Sequence, residues 1–76
     1  MVFSQSELLK MGWEELTAQC ISACAQGDFE RADHIRYNDA PAKIAHTPPF
    51  QRAEAEAEAL PYLSKMTQAI DMFFPE

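Results

Sequence analysis

The feature that most constrains this chain is a stripe in its first third. Leu9, Trp13, Leu16, Cys20, Ala23 and Cys24 recur at spacings of three and four. At about 100° per residue they fall on one narrow face, with Glu7, Lys10, Glu14 and Thr17 away from it, which is the period of an amphipathic helix and not of a strand. Ser4 with Glu7 makes a capping box, and Phe3 with Leu8 a hydrophobic staple, so the helix is expected to begin at Gln5. The stripe keeps its direction across Gly12. The reading therefore carries the helix through that glycine, at a cost of about 1 kcal/mol, to a left-handed stop at Gly27.

Asp28 follows as an N-cap, and Phe29, Ala32 and Ile35 give a second helix a short apolar face ending near Asn38. Residues 39–46 read either as a further turn or two or as a loop packed by Ile44. Thr47 before Pro48 and Pro49 reads as the N-cap of a third helix, because prolines in a first turn lose no hydrogen bond. The run from Ala53 to Ala59 alternates like a strand, but alanine and glutamate are strong helix formers and poor strand formers. Before Pro61 the expected apolar face is Phe50, Ala53, Ala57 and Leu60. After it, Leu63, Met66, Ile70 and Phe73 point about 130° away on a continuous wheel, so a break or kink at Pro61 is expected. The fold expected is all-α: a small bundle of three to four short helices in a single domain.

Hydrophobic residues make up 47% of the 76 positions, enough for a packed core. A chain this short still buries only about 60% of the surface its unfolded form exposes, so self-association enters the reading. The residues from Met1 to Glu7 lack a basic start and a long apolar run, so neither a secretory signal nor a membrane span is expected, and a cytoplasmic location is. Twelve acidic against six basic residues, a net charge of −6, disfavour nucleic acid and favour a protein with a basic surface.

Cys20, Cys24, His34 and His46 have the composition of a two-cysteine, two-histidine zinc site, but not the spacing of a zinc ribbon or finger. Both cysteines lie in the core stripe, so they read as buried, reduced thiols with no metal or cofactor. No Gly-rich phosphate loop and no nucleophile elbow is present, and the chain reads as a binding protein with no catalytic residues. The candidate partner-binding residues are Glu54, Glu56 and Glu58 for electrostatic steering, with Met72, Phe74 and Tyr37 as apolar anchors. Helical geometry puts Glu54 and Glu58 on one face and Glu56 on another.

The leading expectation is an inhibitor or adaptor of one protein target. Short length, negative charge and missing catalytic motifs resemble, in composition, the general class of small phage or mobile-element proteins that inhibit host machinery. That resemblance implies an anti-defence role, an anti-CRISPR one among them. One alternative is a dimeric regulator of transcription or replication contacting DNA through Arg31, Arg36 and Lys43. The other is a structural homo-oligomer.

Overall fold

The computed structural model describes residues 4–75, and within them every regular element is helical. In chain order these are α1 (Gln5–Lys10), α2 (Trp13–Ala25), α3 (Phe29–His34), a π-helical turn (Ile35–Asp39), α4 (Ala40–Ala45), a 3-10 turn (Pro49–Gln51) and α5 (Arg52–Phe73). The expected all-α bundle is present. Since α3, the π turn and α4 follow one another without a gap, it amounts to four rods. No described helix is long and apolar enough to cross a membrane.

The Ser4 cap forms as its sequence suggests: the Ser4 hydroxyl accepts from the Glu7 amide at 3.3 Å. The staple residue Phe3 lies outside the described residues. Continuity across Gly12, however, is overturned. Met11 and Gly12 are both extended, with ψ of 129° and 161°, and Gly12 is the N-cap of α2, its carbonyl accepting from the Leu16 amide. The break turns α1 back onto α4, so Leu8 is buried at 3% exposure while the expected stripe residue Leu9 is 56% exposed. Burying a leucine contributes about 1.5–3 kcal/mol, more than the propensity penalty that a helical Gly12 would carry. Lys43 Nζ secures the fold-back by donating to the Leu8 carbonyl at 2.8 Å, one of the four that α1 leaves without an intrahelical donor.

The stop at Gly27 and the cap at Asp28 occur as read. Gly27 has φ +76°. The Gly27 amide donates to the Cys24 carbonyl, the Asp28 amide donates to the Ala23 carbonyl, and Asp28 Oδ1 accepts from the Arg31 amide at 3.1 Å. The helix that Asp28 opens does not end near Asn38. Pro41 would press its ring on the Tyr37 carbonyl in a plain α-helix. Instead the turn before it widens, the Ala40 amide donating to the Ile35 carbonyl five residues back, and the rod runs on to Ala45. Both Ile35 and Ala40 thereby reach the core. The same turn buries Asp39 at 4% exposure, with Oδ1 3.4 Å from His34 Nε2 and Oδ2 unpartnered. Burial holds the Asp39 carboxyl above the ordinary range, while His34 and then Arg31 pull it the other way.

Thr47 does not cap the last helix; its hydroxyl donates to the Lys43 carbonyl, and Arg52 Nη2 reaches back to the carbonyls of Ala45 and Thr47. Nor does Pro61 break α5, which is continuous over 22 residues. Its apolar buried or half-buried positions are Ala55, Ala59, Tyr62, Leu63, Met66, Ala69 and Ile70, one stripe on both sides of the proline. Pro61 itself is exposed, where its ring and missing N–H meet water and not a neighbouring helix. The stripe expected before it, Phe50, Ala53, Ala57 and Leu60, faces outward, and Phe73 is likewise exposed. The inner stripe packs against α2 through Leu16, Cys20, Ala23 and Cys24, small residues in the main, so the two helices approach closely.

Candidate partner-binding site

A helix with side chains at i, i+4 and i+8 presents them along one face. Phe29, Asp33 and Tyr37 have that spacing on α3 and the π turn. Ile70 and Phe74 have it at the end of α5, with Asp71 beside them. Where the two rods meet, these residues line an open cleft of about 400 Å³. Phe29 and Phe74 pack edge to face with centroids 5.2 Å apart. Tyr37 is exposed, and the Arg36 guanidinium lies 4.9 Å from its ring centroid while Arg36 Nε donates to Thr67 Oγ1 at 2.8 Å. Neither Asp33 nor Asp71 has an ion-pair partner among the described residues. Aromatic rings attract cations through their faces, and two unneutralised carboxylates add charge of the right sign. The arrangement suits a lysine or arginine side chain.

The structure treats the sequence candidates differently. Tyr37 and Phe74 come together in this cleft. Met72 is 75% exposed on the outside of α5 and does not join them. Glu54 and Glu58 line a wider cleft of about 650 Å³ at the α1–α2 break, with Trp13 and Lys43. Glu56 stands on the other flank of α5, beside Ile44 and Arg52. The sequence reading put Phe29 on the apolar face of the second helix with Ala32 and Ile35; unlike them it is half exposed, and it forms a wall of the cleft. The signal for it was the four-residue spacing with Asp33 and Tyr37.

In the wider cleft the half-buried cation Lys43 is already engaged. Lys43 lies 5.6 Å from the Trp13 ring centroid while bonding Leu8, and burial lowers its pKa against the opposing pull of Glu58. Arg31 donates to Gln19 and Arg36 to Thr67, so Arg31, Arg36 and Lys43 reach toward three different helices.

Cys20 and Cys24 are buried and reduced, Cys20 Sγ donating to the Ala32 carbonyl at 3.6 Å. Burial, reinforced by Cys24, pushes the Cys20 thiol up to about 12, opposite to the depressed value that thiolate chemistry requires. His34 pairs with Asp39 and His46 is exposed, so the four residues of the zinc reading do not converge; no group of three or more metal-ligating side chains forms among the described residues. No family model, no curated protein and no solved structure matches the chain.

Proposed function

We propose that the protein is a binding protein, an inhibitor or adaptor of one protein target, and that the cleft between α3 and the end of α5 receives a lysine or arginine side chain from a basic segment of that target. The observation that carries this is the set of three aromatic rings on one open cleft with two carboxylates that have no ion-pair partner among the described residues. The net charge of −6 supports it by steering basic partners toward the molecule. The anti-defence form of the reading rests on composition alone.

The test is an affinity pull-down from nuclease-treated lysate of the native or host cell, at low and high salt, with the parent chain and a Tyr37→Ala/Asp71→Asn variant. Both side chains are exposed, so circular dichroism should show an unchanged fold. A stoichiometric protein held at low salt, released at high salt and bound about tenfold more weakly by the variant supports the proposal. Bait alone would favour the homo-oligomer, and partners that vanish with nuclease would favour the DNA regulator. A partner held equally by both baits would move the contact off this cleft.

A further inference from the structure

The side of α5 and of the 3-10 turn before it that faces away from the bundle carries an apolar ridge that no described element covers. Phe50 is 83% exposed, Leu60 is 64% exposed, and Ala53 and Ala57 between them are exposed too. Their spacing of three, four and three follows one side of a helix for almost three turns. At 100° per residue, the carboxylates of the Ala/Glu run fall to either side of this ridge, Glu54 and Glu58 on one flank and Glu56 on the other. The flanking surfaces confirm the split: the first two border the cleft at α1 and α2, and Glu56 borders α4. Alternation by two therefore has a purpose on a helix, because it leaves alanine on the ridge and glutamate on both edges.

We propose that this ridge docks a basic amphipathic helix of a protein partner, whose apolar face covers Phe50, Ala53, Ala57 and Leu60 and whose lysines or arginines meet the glutamates on both flanks. The surface is separate from the cleft at Phe29 and Tyr37. Charge selects this occupant over a second copy of the chain. Two α5 ridges set antiparallel bring like flanks together, Glu54 and Glu58 against their own counterparts and Glu56 against Glu56. Set parallel, they bring Glu54 and Glu58 against Glu56. Either pairing faces carboxylates with carboxylates, which is destabilising.

The experiment is a titration, by amide-resolved NMR, with a synthetic peptide that has leucine at i, i+3, i+4 and i+7 and lysine elsewhere, against a scrambled peptide of the same composition. Binding at least tenfold tighter than the scramble, with shifts centred on residues 50, 53, 57 and 60, is the expected result. A Phe50→Ser/Leu60→Ser variant should lose that tenfold advantage, as should Glu54→Lys/Glu56→Lys/Glu58→Lys. Equal binding of both peptides would reduce the effect to net charge and overturn the proposal. So would shifts confined to Phe29, Tyr37 and Phe74, or a dimer in sedimentation that Phe50→Ser dissolves. Because the peptide needs no native target, failure here leaves the pull-down on the cleft variant to be judged by itself.

Discussion

The Met11–Gly12 junction and the turn around Pro61 hold the two residues least suited to helix interiors, and the chain responds to them in opposite ways. At the first, the backbone leaves the helix for two residues and changes direction. At the second, a 22-residue helix runs straight through the sequence position where an amide is missing. Local cost does not explain the difference, since proline is about three times as unfavourable as glycine in a helix. Packing does. A straight continuation of α2 through Gly12 would leave Leu8 without a partner, whereas breaking there buries Leu8 and lets Lys43 satisfy its carbonyl. Along α5, an unbroken stripe from Ala55 to Ile70 lies on α2 and its neighbours, and a break would remove half of it from the core.

The strongest way to challenge this contrast is Met66→Ala. Met66 is fully buried beyond the proline, and its truncation should cost about 2–5 kcal/mol by denaturant titration; a loss below 1 kcal/mol would mean that the distal half of α5 is not docked. Next comes Pro61→Ala. With α5 continuous and Pro61 in solvent, restoring the amide should stabilise the protein by about 1–3 kcal/mol, and destabilisation would show that the bundle depends on a proline bend. Lys43→Met keeps the aliphatic stem and removes the donor to Leu8. Amide exchange in α1 should then quicken by about fivefold to tenfold, near 1 kcal/mol, with α5 unaffected; uniform acceleration would point to global loss of stability instead. The smallest effect separates two substitutions at one site. As the N-cap of α2, Gly12 should accept Asp with a gain of a few tenths of a kcal/mol and lose about half a kcal/mol or more with Ala. In a continuous helix the order would reverse, Ala gaining about 1 kcal/mol.

What was legible in the sequence divides along the same line. The helical class, the Ser4 cap, the Gly27 stop, the Asp28 cap and the burial of both thiols follow from residues within a turn or two of one another. The break at Gly12, the passage through Pro61 and the identity of the inner face of α5 depend on which of two apolar faces finds a partner. Phe50 and Leu60 outweigh Ala55 and Ala59 in hydrophobicity, yet the alanines face inward because the close approach of α2 leaves no room for more. At the candidate cleft, Tyr37 and Phe74 stood out for aromatic character near a turn and a chain end. Phe29, Asp33 and Asp71 did not, because nothing local says that the start of α3 meets the last turn of α5. The widened turn before Pro41, which aims Tyr37, likewise answers to the core positions of Ile35 and Ala40.

The joint at Gly27 and Asp28 also bears on the order in which the molecule assembles. Asp28 closes α2 with its amide and opens α3 with its carboxylate, so the two helices are linked without slack, and Cys20 meets Ala32 only twelve residues along the chain. Closing a loop of that length takes on the order of 10–100 ns. The α4–α5 joint is as local, Arg52 reaching back seven residues to Ala45, whereas the contacts that seat α1 and the second half of α5 span much more chain, 35 residues from Lys43 to Leu8 and 31 from Arg36 to Thr67, and loop-closure entropy sets them later. The α2–α3 hairpin is thus native structure the chain can hold before its long-range contacts form, and it offers its row of small side chains as the surface on which the second half of α5 then settles.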